Sequence, residues 1–160
     1  MRAQNAIFGN SAAISESPAD ADITTQQLQH GDLLVFATDG VWDNLSAMDT
    51  LSLLTPIMEK NGYWGPGGVN KEALRPSSDS EHDKLQSVEQ LPTDLAYAVM
   101  REAKKAGLDT RRDGPFAKEV HKYYPNENWH GGKHDDIAVI VVLVVQDGTP
   151  VVSEPVKAKL

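Results

Sequence analysis

Cysteine is absent from the 160 residues, which removes disulfide frameworks, thiolate-bound zinc and thiol nucleophiles from consideration. Basic runs are missing too. Fifteen Lys and Arg stand against 23 Asp and Glu, a net charge of −8, whereas nucleic-acid binders present a Lys/Arg-rich face to the phosphate backbone. Nucleic acid is therefore not an expected partner. The longest apolar run, Ile137 to Val145, is about half of the roughly 20 residues a membrane helix needs, so no membrane insertion is expected. The opening residues Met1 to Phe8 carry one Arg and no apolar stretch, unlike a targeting segment. No Gly-x-Ser-x-Gly elbow is present, so a serine hydrolase would lack its nucleophile.

What remains is 40 % hydrophobic, enough for a core, at a length suiting one domain or part of a larger one. Residues 1–14 read as a poorly ordered lead-in, and Ser11 to Asp22 as loop. Gly31 to Thr38 is a compact apolar run opened by Gly31-Asp32 and closed by Asp39-Gly40, a buried strand ending in a sharp turn. Asn44 or Ser46 can cap a following helix with Met48, Leu51, Leu54 and Ile57 on one stripe, which Pro56 should end or kink. Residues 61–90, rich in Gly and Ser, predict a long flexible surface insertion, with a short helical turn near residues 69–74. Leu95, Ala96, Val99, Met100, Ala103 and Ala106 define an amphipathic helix stopped by Gly107. Residues 109–133 look irregular. Ile137 to Val145 is so apolar and β-branched that both strand faces should be covered. Residues 147–160 form a polar tail.

The chemistry lies at strand ends. Asp39 closes the first strand and Asp135 opens the last, so antiparallel pairing would bring the two carboxylates together. Converging carboxylates suit a hard cation such as Mg²⁺ or Mn²⁺, which activates water and neutralises phosphate oxygens. The same residues also suit plainer roles, a turn residue and a polar strand cap. His130 and His134 lie four apart beside Asp135, but Gly131-Gly132 breaks the helix a zinc pair at that spacing needs. His30, His82 and His121 read as solvated surface residues, Trp42 as a packing residue, and Trp64 as a loop anchor or partner contact.

Gly31 to Leu45, with Thr38-Asp39-Gly40-Val41-Trp42-Asp43-Asn44 at its centre, resembles the strand-turn-helix motif of metal-dependent Ser/Thr protein phosphatases of the PP2C (PPM) type. Gly131-Gly132-Lys133-His134-Asp135-Asp136-Ile137-Ala138-Val139 resembles that family's final metal motif. Asp113-Gly114-Pro115-Phe116-Ala117 is similar to the Ser-Pro-Phe-Ala element of its Ptc7-like branch, with Gly114 where Ser is usual, and Pro18 to Asp22 points to the same branch. The resemblance covers residues 15–146 and corresponds to the C-terminal half of the domain. It implies an α+β fold, part of a β-sandwich flanked by helices in α-β-β-α layers. It also implies Mn²⁺ or Mg²⁺ as cofactor, a phosphoprotein substrate, Asp39 and Asp135 as ligands of a binuclear site, and Asp43 near a weaker third ion. Gly40 would serve a compact turn, Gly131 and Gly132 the approach to the metal motif, and Asp136, where the family often has Asn, would be a weaker ligand candidate than Asp135. A mitochondrial location is the branch's implication.

The family's first-half Asp-Gly pair, which bridges both ions, and its phosphate-gripping Arg are not recognisable here. Two ions held without that bridge would be poorly screened from each other, so the isolated chain is expected to have little activity. A short, non-catalytic product acting by binding and a simple cation site without chemistry are the alternatives. Half a sandwich should also leave the Ile137–Val145 strand and the Leu95/Val99/Ala103 face partly uncovered, and so prone to aggregation.

Overall fold

The computed structural model describes residues 18–71, 73–74 and 82–146, with 18 and 82–89 described by backbone alone. Gly31, at φ +91°, turns the chain into β1 (Leu33–Ala37), which pairs antiparallel with β4 (Val139–Leu143) from Leu33↔Leu143 to Ala37↔Val139. Bonds from Gly31 N to Val144 O (2.8 Å) and Val144 N to Asp32 O (2.9 Å) close one end of the ribbon. Period-two alternation sends Val35, Val139 and Val141 toward the core and leaves Phe36 57 % and Ile140 63 % exposed on the opposite face. Full cover of both strand faces is therefore not seen, and the strand is partly uncovered as expected for half a sandwich: among the described residues no element packs over Phe36 and Ile140.

A single turn, α1 (Asp39–Trp42), follows β1 directly. After it, α2 (Ala47–Lys60) starts at Ser46 in a capping box: Ser46 Oγ accepts from Asp49 N (3.1 Å) and Asp49 Oδ2 accepts from Ser46 N (2.9 Å). Pro56 lies inside α2 instead of ending it. Leu54 and Met58, on either side of the proline, are both buried, and that packing carries the helix through.

Within the stretch read as a flexible insertion, Tyr63 and Leu74 are in the core, and β2 (Trp64–Gly65) pairs with β3 (Gly68–Val69) in a small hairpin, with turns at residues 71 and 73–74. Trp64 packs against the core as a loop anchor. Then α3 (His82–Leu108) runs through Pro92, because Leu91 and Leu95 both bury against the core. Leu95, Val99 and Ala103 are fully buried where α3 meets α1, α2 and β4, so the helix face expected to be open is closed. Finally α4 (Pro115–Tyr123), inside the stretch expected to be irregular, is started by Pro115 in its first turn. The lead-in at 1–14, residues 75–81 and the tail at 147–160 lie outside the described residues.

The fold is α+β: the β1–β4 ribbon packs against α1 and α3, and α2 packs against α3 and the small β2–β3 hairpin. No described helix is long and apolar enough to cross a membrane. Asp49 is held below the usual carboxylate range, first by the side-chain and then the backbone hydrogen bond from Ser46, and further by Arg112, whose Nη2 lies 3.1 Å away. A carboxyl depressed on folding contributes stability above its unfolded pKa and loses it as pH falls through the folded value. Ser46→Ala should cost about 1 kcal/mol at neutral pH. In thermal melts its deficit against the parent should narrow as the pH falls below that range, and a constant deficit would contradict the linkage.

Candidate metal centre

The end of β1 is latched to the chain that leads into β4. Thr38 Oγ1 donates to Asp136 O (2.9 Å) and accepts from Ala138 N (3.1 Å), while Thr38 N donates to Ala138 O (3.1 Å). This places Asp39, the next residue, beside Asp135. The helical turn that follows sets Asp43 four residues on, with Asp43 N donating to Asp39 O (2.7 Å), so both side chains fall on one face. One carboxylate oxygen from each of Asp39, Asp43 and Asp135 lies within 4.8 Å of the others.

Lys133 sits among them. Its ammonium is 2.6 Å from Asp43 Oδ2, 3.0 Å from Asp135 Oδ2 and 3.9 Å from Asp39 Oδ2, and 5.1 Å from the Phe116 ring centroid. The hydrogen bond to Asp43 raises the Lys133 pKa, opposed by partial burial and reinforced by Asp135. The Lys133 hydrogen bond is in turn the main cause that lowers Asp135. Asp39 is the open corner, with 68 % of its side chain exposed against 22 % for Asp43 and 37 % for Asp135. Lys133 and Asp135 also border a cleft of ≈ 270 Å³ shared with Met100 and Lys104.

Backbone proximity explains the glycines. Gly40 is helical, so its role is space and not a special turn conformation: a Cβ there would lie 2.3 Å from Asp136 O. Gly131 has φ +87° and would place a Cβ 2.6 Å from Thr110 Cα; at Gly132 a Cβ would lie 2.0 Å from Ala106 O. These two residues let the chain lie flat on the end of α3 before it delivers Lys133 and Asp135. The Asp136 side chain stands outside the carboxylate group.

The residue that sequence reasoning undervalued is Asn44. It does not cap α2. Its side chain is 1 % exposed, and Nδ2 donates to Gly40 O (2.9 Å) and Lys133 O (2.7 Å) while Oδ1 accepts from Lys133 N (2.9 Å). One amide thus ties the two halves of the site together. Trp42, read as packing, also anchors the turn by donating from Nε1 to Ala37 O (3.0 Å). Phe116 N donates to Asp43 O (3.0 Å), which seats the start of α4 against the same turn.

Among the described histidine side chains, His30 and His121 are partnered instead of simply solvated, while His130 and His134 stay unpaired with each other as the intervening Gly pair implies. His30 Nδ1 accepts from Gln146 N (2.8 Å), and its Nε2 meets Lys71 O (3.1 Å), so it joins the chain ends of the ribbon. His130 does not pair with His134; its Nδ1 is 3.1 Å from Asp113 Oδ2, and its ring lies 4.9 Å from that of His121. Asp113 is lowered first by the Gly131 N–H it accepts and then by His130.

No protein-family model matches the chain. It is 31 % identical over 131 residues, 82 % of its length, to protein phosphatase 2C homolog 7, mitochondrial, of Saccharomyces cerevisiae, of which it covers 30 %. It is 30 % identical over 135 residues to the protein phosphatase PTC7 homolog of Xenopus laevis and 26 % over 133 to that of Homo sapiens, covering 84 % and 83 % of this chain and 36 % and 34 % of theirs. The solved structure of the photosystem II phosphatase PBCP aligns with a TM-score of 0.52 and 24 % identity over 84 % of this chain and 44 % of that one, a likeness of fold. The chain is thus related to PP2C-type phosphatases of the PTC7 branch and spans about a third of the curated relatives it matches.

Because Asn44 answers three backbone groups with one buried amide, Asn44→Leu should cost about 2–4 kcal/mol and release residues 133–135. Amide hydrogen exchange would show faster exchange at Lys133 while the middle of α2 keeps its protection. Unchanged exchange at Lys133 would remove Asn44 from the site's support.

Proposed function

We propose that the chain is the metal-binding portion of a Mn²⁺- or Mg²⁺-dependent protein serine/threonine phosphatase of the PP2C type, acting on phosphoproteins. The observation that carries this reading is the convergence of Asp39, Asp43 and Asp135, contributed by the two motifs that resemble the family. An all-oxygen donor set at the end of a sheet fits a hard divalent cation. Such an ion, when bound, supplies Lewis-acid stabilisation of phosphate oxygens and a water of lowered pKa.

The chain's own residues prepare that site. Thr38 and Asn44 fix the backbone that carries the three carboxylates, so the ligand geometry does not have to be assembled at the moment of binding. Lys133 places a positive charge among them, which offsets their mutual repulsion, and its ammonium has to leave the carboxylate oxygens before these hold a cation. Among the described residues the group holds three carboxylates and no fourth, a set that suits one ion better than two. With about a third of the relatives' length covered, catalysis by this stretch alone is expected to be weak. The mitochondrial relative supports a mitochondrial location for this protein too.

A second reading has its own observation. The exposed Phe36, Ile140 and Val142 form an apolar face typical of surfaces that pack against another protein surface, as a non-catalytic binding product would need.

Titration calorimetry distinguishes the two. Mn²⁺ should bind with about one ion per chain, and Asp39→Asn and Asp135→Asn should each weaken it by about tenfold or more, with hydrolysis of a phosphothreonine peptide near background. Absence of Mn²⁺ binding, or binding indifferent to both substitutions, would overturn the phosphatase reading and leave the binding one.

A further inference from the structure

A second group of ligand-type side chains lies beyond the carboxylate site. Asp113 precedes α4, His121 is in its last turn, and His130 is at the end of the connection that returns to Gly131. One ligand atom from each lies within 4.8 Å of the others. The three residues are 8 and 9 positions apart along the chain, a spacing with no periodic signature, so only the fold brings them together.

The supporting structure around them is already in place. Asp113 Oδ1 accepts the Gly131 N–H (2.8 Å), which turns Oδ2 toward His130 Nδ1 at 3.1 Å. In a tetrahedral zinc site with bonds of 2.0–2.1 Å, neighbouring ligand atoms are about 3.3 Å apart, so this pair already has the separation of two ligands. His121 Nε2 is hydrogen-bonded to Trp129 O. A neutral imidazole donating that bond carries its lone pair on Nδ1, in the pattern where a metal-bound histidine donates its other N–H to a backbone carbonyl. Trp129 is held in turn by an edge contact with Phe116, 5.3 Å between centroids. His130 is 58 % exposed, which leaves an open side for solvent.

We propose that Asp113, His121 and His130 form a transition-metal site of the zinc class, separate from the hard-cation site at Asp39, Asp43 and Asp135. Two imidazoles and one carboxylate select Zn²⁺ over Mg²⁺ or Mn²⁺, because borderline ions gain more from nitrogen ligands than hard ones do. The fourth position falls to water. An ion there joins α4 to the Gly131-Gly132 approach, and so steadies the segment that delivers Lys133 and Asp135. This inference does not depend on the phosphatase reading.

The test is a Co²⁺ titration of the purified, metal-stripped protein followed in the visible, where tetrahedral Co²⁺ absorbs strongly, with Zn²⁺ then displacing it. One ion per chain is expected, and His121→Gln and His130→Gln should each weaken Zn²⁺ by more than about a hundredfold, beyond the roughly 10–100-fold loss typical of an outer hydrogen-bond partner. Asp39→Asn and Asp135→Asn should leave Zn²⁺ affinity unchanged, so failure at one site is read independently of the other. Far-ultraviolet circular dichroism checks that each variant folds. X-ray absorption at the zinc edge of the parent protein adds a reading that needs no variant, and should show two imidazoles on the ion. No stoichiometric uptake, Zn²⁺ affinity indifferent to both histidine changes, loss of Zn²⁺ in the aspartate variants, or an all-oxygen shell would each overturn the proposal.

Discussion

The antiparallel register of β1 on β4 is the constraint on which the rest depends. Pairing Ala37 with Val139 fixes where Asp39 meets Asp135, and the bonds of Thr38 to Asp136 and Ala138 extend the ladder past its last regular pair. A slip of one residue would exchange the two faces of the ribbon. It would then turn Val35, Val139 and Val141 out of the core and separate the carboxylates. Core burial and site geometry are therefore set by the same register, and the apolar pattern that secures one secures the other.

Bringing three carboxylates together is unfavourable, and the structure answers it in two ways. Lys133 supplies a counter-charge within hydrogen-bond reach of Asp43 and Asp135, and the rigid turn of α1 removes the alternative of splaying apart. Asn44 then joins the turn to the Lys133 backbone in a position shielded from water, where a hydrogen bond is hard to replace. The glycines act by absence: side chains at Gly40, Gly131 or Gly132 would push apart backbones that must touch. The Zn²⁺ site proposed at Asp113, His121 and His130 belongs to the same logic, since it would fasten the outer end of the segment that Asn44 fastens at the inner end.

Much of the fold was legible because its signals are local. The Ser46/Asp49 box, the Leu95-Val99-Ala103 stripe and the β-branched run from Ile137 each encode a period or a cap that a few neighbouring residues are enough to express. Pro56 misled for the same reason. It reads as an end or kink of the helix, yet Leu54 and Met58 bury around it, and tertiary packing outweighs one missing hydrogen bond. The start of α4 lacked a side-chain cap, so Pro115 was its main local signal.

By itself the sequence determined the two strands, the principal helices, the absence of thiol chemistry and the strand-end residues Asp39 and Asp135, with Asp43 added by the motif's resemblance, because composition, periodicity and motifs are properties of the chain alone. Only the tertiary structure decided that Lys133 stands among those carboxylates, that Asn44 bridges to residues 89 positions away, that Phe36 and Ile140 face outward, and that His121 and His130 meet over Asp113. Each of these depends on how distant segments fold back on one another, and a contact made by chain reversal leaves no period or spacing to read.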